Sequence, residues 1–364
     1  MKHKIGVITL YDLNNYGNRL QNCAVIKCLE VFGVQAETIL IERHDVMRPL
    51  KDEIKAILGR RHETKFYKFF EFSRQYTNPK WFYCPQKVIN TRVKKRYQAF
   101  AIGSDQVWNS KYLKVRDKDL ILQERLLGFA KPNQRISIAA SFSLQDIPDD
   151  DKGIFFDELK LFPKILVREK QGKKIVQSLG EQYGKKLDSV VVLDPTLLLT
   201  REYWDGLKSN VFPEKDYILE IFICPKSKLA VSVCDKIQEQ YHCKKINILN
   251  TNSGPREFIE LVSKARYICT DSFHAMAFSI LFQKQFIIFE RSDKSQKNDS
   301  RFVTIFDTLK MNNRIATDRK EVELIIKERI DYEQVTSELE NARKSSWEIL
   351  EEAFRKLDFG ECNE

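Results

Sequence analysis

The chain has 364 residues, enough for two domains at about 150 residues each, and 43% of them are hydrophobic, which supplies side chains for two cores. Charged residues make up 31%, and no apolar run approaches the ~18 residues that a membrane-spanning helix needs, which excludes a disordered chain and an integral membrane protein alike. The formal net charge of +10 is concentrated: residues 43–98 hold 15 Lys/Arg against 5 Asp/Glu, an excess equal to that of the whole chain.

The opening MKHKIGVITLYD runs straight into a strand-like segment with no signal-peptide core, so a cytoplasmic protein is expected. The eight cysteines include no CxxC pair, as expected of reduced thiols. None of the 13 glycines are spaced GxG, which removes both the dinucleotide loop and the GxxxxGK[ST] phosphate loop. Five histidines without HExxH or paired His/Cys spacing argue against a dedicated metal site, and no metal is expected. A bound anion must therefore be held by arginine, histidine or helix N-termini.

Residues 4–10 read as a buried strand, followed by the polar loop YDLNNYG and an apolar-periodic helix over 18–32. A second strand is expected at 38–41. The basic window 43–98 then reads mostly as helices broken by Pro49, Pro79 and Pro85, and it carries ten aromatics. Basic residues among aromatics suit a nucleic-acid strand, an anionic membrane surface or a phosphorylated acceptor, or else a solvated face over an aromatic core. No RNA or DNA module accompanies the window, so nucleic acid is not expected.

Strands follow at 99–103, 135–140 and 164–167, with helices at 155–162 and 169–179. Asp-Pro at 194–195 suggests a connector over 188–213. A second series comprises strands at 217–224, 245–249, 267–270 and 286–289, helices at 227–241, 255–264 and 272–282, and a largely helical end over 321–354. Such alternation predicts two α/β domains, 1–187 and 214–330, with a C-terminal helix in 331–364 and a ligand cleft at the carboxyl ends of the strands.

Four strand ends carry candidate chemistry. In the first loop Asn14, Asn15, Gly17 and Asn18 form either a hydroxyl- or anion-binding turn or an N-cap. After AIG, Ser104, Asp105 and Gln106 project beyond the sheet, where Asp105 serves as a proton acceptor for a sugar hydroxyl or as a helix cap. Arg168 follows the LFPKILV run, placed to fork onto carboxylate or phosphate, or to pair with Glu169. In ICTDSFHAMAFSILF, His274 sits at a strand-to-helix turn as a ligand contact or a structural histidine. The acidic groups Asp117/Asp119 and 149–151 resemble a metal-binding DxD only superficially.

The stretches NNYGNRLQNCAVIKCLEVFG, AIGSDQVWN, RISIAASFS, LVREKQGKKIVQSLG, VVLDPTLLLTREYW and TDSFHAMAFSILFQKQFIIFER together resemble the polysaccharide pyruvyl transferases, in order over nearly the full length. GSDQVWN and SFHAMAFSILF are specific in combination; the DPT stretch alone means little. The resemblance implies a GT-B-like fold of two Rossmann-like domains facing across a cleft. It also implies phosphoenolpyruvate as co-substrate, with no other cofactor, and a sugar or lipid-linked oligosaccharide acceptor, while the basic-aromatic window 43–98 is what suggests contact with an anionic membrane at its inner face.

It implies Arg168 as a donor-binding arginine and His274 as a contact to phosphoenolpyruvate. Many members carry Arg-Leu-His where this chain has Ser272-Phe273-His274, so the cation missing at Ser272 is expected from Arg301 or from backbone N–H groups. The expected roles are then His274 as acid or phosphate contact, Asp105 as base, Arg168 and Arg301 as anion clamps, and Asn15 and Asn18 as guides for acceptor hydroxyls. Gly17, Ser104, Ser272 and Gln106 are expected to line the same site. Two alternatives stay open: a glycosyltransferase using a nucleotide sugar, and a non-catalytic subunit of a polysaccharide assembly complex.

Overall fold

The computed structural model describes residues 2–85, 89, 91–113, 117–213, 215–291 and 300–359. Cys362 and part of the basic window, residues 86–88 and 90, lie outside them.

The first sheet is wholly parallel in the order β3-β2-β1-β4-β5, with β1 Lys4–Ile8, β2 Gln35–Glu42, β3 Lys80–Tyr83, β4 Ala99–Ile102 and β5 Arg135–Ser137. Its inner strands β1 and β4 are covered on both faces and read as nearly unbroken apolar runs, as parallel strands do. The edge strand β3, KWFY, stands within the window expected to be mostly helical. It is short, flanked by Pro79 and Pro85 and only half-buried, so its pairing with β2 supplies what four residues cannot signal by themselves.

Strands β6 (Ile165–Val167) and β7 (Ser189–Val191) pair with each other and join the sheet through single bridges from Asp105 to Ala140 and from Ala140 to Val167. The stretch 188–213 thus opens as a strand and continues as two short helices, Pro195–Leu198 and Arg201–Leu207. The second sheet, also parallel, has the order β12-β11-β10-β8-β9, with β8 Ile218–Ile221, β9 Lys245–Asn247, β10 Tyr267–Thr270, β11 Gln285–Phe289 and β12 Ile315–Ala316.

The halves share one apolar core through helix Tyr16–Glu30, which meets the helices Pro195–Leu198, Pro255–Lys264 and Phe273–Leu281. Tyr16 stacks on Phe258 at 5.1 Å and donates its hydroxyl to the Ser253 carbonyl at 3.0 Å. The expected C-terminal helix is Tyr332–Arg355, capped by Asp331, and the helical stretch before it is a separate helix, Arg319–Lys327. The longer one returns to the first half: Arg343 donates to the Leu197 carbonyl at 2.9 Å, and Phe354 stacks on Phe32 at 4.4 Å. None of the described helices is long and apolar enough to cross a membrane.

Candidate active site

Parallel strands deliver their following residues to one edge, and here the edges of both sheets meet. Gly103, after β4, lies so close to Thr9 that a Cβ would stand 2.8 Å from the Thr9 Cβ. The next residues, Ser104 and Asp105, are buried, and Asp105 holds a left-handed φ of 71°. Besides glycine, short polar residues such as asparagine and aspartate are the ones that accept that region, which suits a carboxylate at this turn. Arg168 and Glu169 follow β6, Asp194 follows β7, and Ser272 to His274 follow β10.

Asp194 is the hub, and it is fully buried. Its Oδ2 accepts from Arg168 Nη1 at 2.8 Å and Ser104 Oγ at 3.0 Å, and it lies 3.9 Å from His274 Nε2. Its Oδ1 accepts from the backbone N–H and the hydroxyl of Thr196. Burial alone would raise this carboxyl, but the charges of Arg168 and His274 and the hydrogen bonds outweigh it and hold it at about 2.

With Nη1 committed to Asp194, the Nε/Nη2 edge of Arg168 has no hydrogen-bond partner, although the residue is 1% exposed. This edge lies between Glu169 Oε2, 3.8 Å from Nε, and Asp105 Oδ1, 3.7 Å from Nη2. The guanidinium also sits 4.5 Å from the Phe273 ring centroid. Buried donors left over in this way are costly inside a protein and mark places where a ligand completes the bonding. Glu169 Oε2 and His274 Nε2 are in the same condition.

In the sequence Glu169 reads as the start of a helix and as a pairing partner for Arg168. Its Oε1 accepts from Ser141 Oγ, Phe142 N and Ser143 N, pinning the loop after β5. Burial pushes its carboxyl up despite Arg168 and Arg301 nearby. Burial also lowers His274, and Arg168 and Arg301 add to this while Asp194 and Asp105 oppose it, so the imidazole is neutral at pH 7. Gly17 explains how helix Tyr16–Glu30 comes so near: a Cβ there would stand 2.2 Å from His274 Nδ1.

Most of the expected residues do gather here, though several face the protein. Asn18 donates to Asp105 Oδ2 and is 5% exposed. Asn15 caps the helix by accepting from Asn18 N. Gln106 gives its backbone N–H to Asp105 Oδ1 at 2.9 Å. Ser272 caps helix Phe273–Leu281. Arg301, buried in helix Ser300–Thr308, lies 5.7 Å from the Phe273 ring, so Arg168 and Arg301 both attend the residue after Ser272. That helix is tied to the Arg168 loop, since Thr304 Oγ1 accepts from Lys170 N.

Asp194 was missed because its sequence signal was only Asp-Pro; its partners lie 26 and 90 residues away. In the acidic run 149–151, Asp151 pairs with Lys118 and Asp149 with Lys152, while Asp117 lies 3.3 Å from His44 Nε2.

Two parallel α/β sheets facing each other, with polar strand ends gathered between them, make this a GT-B-like protein. Solved structures agree in fold. The UDP-GlcNAc 2-epimerase from Methanocaldococcus jannaschii is 13% identical with a TM-score of 0.51, covering 90% of this chain and 93% of that one. A protein described as a UDP-N-acetylglucosamine 2-epimerase from Listeria monocytogenes is 8% identical with a TM-score of 0.51, covering 99% of each chain. At such identities the likeness shows the fold alone. No curated protein matches the sequence. The model of one family, polysaccharide pyruvyl transferase, matches residues 15–293. The chain belongs to that family and is a transferase.

Proposed function

We propose that the protein moves the enolpyruvyl group of phosphoenolpyruvate onto two hydroxyls of one sugar as a cyclic ketal, releasing phosphate, on a cell-surface polysaccharide or its lipid-linked precursor at the inner face of the membrane. The observation that carries this reading is the unpartnered Nε/Nη2 edge of buried Arg168 beside His274 and Arg301. A small molecule with two anionic groups suits such a place, because a planar guanidinium edge matches a carboxylate or phosphate bidentately.

Protonation of the donor's methylene carbon leaves an oxocarbenium-like centre at the neighbouring carbon. A sugar hydroxyl attacks that centre and gives up its proton to a base. A second hydroxyl of the same sugar then displaces phosphate and closes the ring, so one proton is taken up and two are released overall, one of which leaves with phosphate. In this account His274, neutral before the donor arrives, gains a proton as the dianionic phosphate approaches and serves as acid, with Asp194 stabilising the imidazolium. Asp105 is the base, oriented by Asn18 and the Gln106 N–H. Arg168 and Arg301 supply the positive charge, and the reading calls on no cofactor beyond the co-substrate.

Incubation with phosphoenolpyruvate and a panel of lipid-diphosphate oligosaccharides tests it. Acceptor mass gain matched to phosphate release is expected. Release of a nucleoside diphosphate from a nucleotide sugar, with none from phosphoenolpyruvate, would instead identify a glycosyltransferase.

A further inference from the structure

Helix Arg48–Arg60 turns its small residues inward. Its two buried positions are Ala56 and Gly59, and a Cβ on Gly59 would stand 2.3 Å from Thr64 Oγ1. The opposite face carries Met47, Leu50, Ile54, Ile57 and Leu58, exposed by 48%, 47%, 48%, 66% and 71%. At about 100° per residue these five fall within an arc of about 100°, centred on the side away from Ala56 and Gly59. Val46, 59% exposed, extends the stripe at its start. A surface helix ordinarily buries such a stripe, and a contiguous exposed one marks an interaction surface.

Cations border the stripe. Lys51 and Lys55 lie along one side, Arg60 along the other beside Glu53, and Arg61 at the end, all of them exposed. The helix also sits within the window that holds the whole positive excess of the chain. A second copy of the chain would set this basic border against itself, whereas an anionic bilayer complements both the charge and the apolar stripe. The same helix contributes Arg48 to a cavity of about 380 Å³ at the ends of β1 and β2, where Arg48 lies over Trp81 at 5.7 Å and Tyr11 and Glu42 form part of the wall.

We infer that helix Arg48–Arg60 is a membrane-docking element that lays its Met47–Leu58 stripe into the surface of an anionic bilayer. The inference does not depend on the donor chemistry, and its test uses none.

Wild-type protein should co-sediment at low ionic strength with vesicles containing phosphatidylglycerol and not with phosphatidylcholine vesicles, and added salt should weaken the binding. Ile54→Ser/Ile57→Ser/Leu58→Ser should lower the partition at least about tenfold, as should Lys51→Gln/Lys55→Gln/Arg60→Gln/Arg61→Gln, with melting temperatures unchanged. Failure of wild type to bind anionic vesicles, or undiminished binding by either variant, overturns the inference. So does a wild-type dimer in solution that the apolar variant dissolves, which assigns the stripe to a second copy.

Discussion

Arg168 and His274, which follow strands of different sheets, converge on one oxygen: Asp194 Oδ2 accepts from Arg168 Nη1 at 2.8 Å and lies 3.9 Å from His274 Nε2. The shared carboxylate holds the guanidinium so that its Nε/Nη2 edge is left without a partner, and places an anion beside the imidazole. In the proposed mechanism this one buried residue would join donor binding to acid catalysis.

Asp194→Asn removes the nearest counter-charge and leaves buried Arg168 with only the more distant carboxylates of Asp105 and Glu169, 3.7 and 3.8 Å away. Breaking a buried pair costs about 3–5 kcal/mol. Urea denaturation should register a loss of that order, and phosphoenolpyruvate affinity should fall with it as the Arg168 edge loses its alignment. Unchanged stability together with unchanged affinity would show that the pair organises nothing.

Gly17→Ala tests the close approach of the first helix. The new methyl would overlap His274 Nδ1, so the ring must move. A displacement near 1 Å at a reacting group costs about a hundredfold in rate. Turnover should drop by that order with acceptor KM little changed; full activity would mean that the position of His274 is unimportant.

Asp105→Asn keeps a side chain that tolerates the left-handed backbone and can still accept from Asn18, but it removes basicity. A fall in kcat of about 10²- to 10⁴-fold with an intact fold is expected of a lost general base. Should melting temperature fall while specific activity persists, Asp105 serves the loop and not the chemistry.

The lowered His274 pKa has a sign that can be worked out. Its folded pKa lies below its ordinary value of 6.5, so between the two the unfolded chain binds the proton more strongly. Stability therefore includes a part that is present above about pH 6.5 and is lost as pH falls below it. On the proposed reading phosphoenolpyruvate brings negative charge to the ring and raises its pKa, so its binding should take up a proton. Calorimetry in buffers of different ionisation enthalpy reads this directly. His274→Gln should abolish the uptake; equal uptake in that variant places the proton elsewhere.

Much of this arrangement was legible because a β-loop-α chain writes its strand ends locally. Asp105, Arg168 and His274 each lie within four residues of the end of a short apolar strand, Ala99–Ile102, Ile165–Val167 and Tyr267–Thr270, and all three gather at those strand ends. Asp194 could not be read the same way, since its meaning lies in Ser104, Arg168 and His274, none of them near it in sequence. Asn18 and Ser272 were recognisable as polar residues at helix starts, yet nothing local decides whether such an amide or hydroxyl faces a ligand or caps a helix.

The basic window divides in the same manner. Lys68 pairs with Glu257 at 2.9 Å across the two halves, and Lys65 lies over Tyr16 at 4.9 Å. The basic residues of helix Arg48–Arg60 remain exposed. Charge counted along the chain cannot separate these two fates, which depend on the face each residue takes in three dimensions.

The central claim, that Arg168 and His274 hold phosphoenolpyruvate jointly, is tested most directly by calorimetric titration of this donor into wild type, Arg168→Lys and His274→Gln, with single-turnover phosphate release measured on each. Wild type should bind. Arg168→Lys should bind about ten- to a hundredfold more weakly, because an ammonium cannot reproduce the Nε/Nη2 fork. His274→Gln should keep much of the affinity and lose most of the release. Wild-type affinity and undiminished phosphate release in both variants would contradict the account.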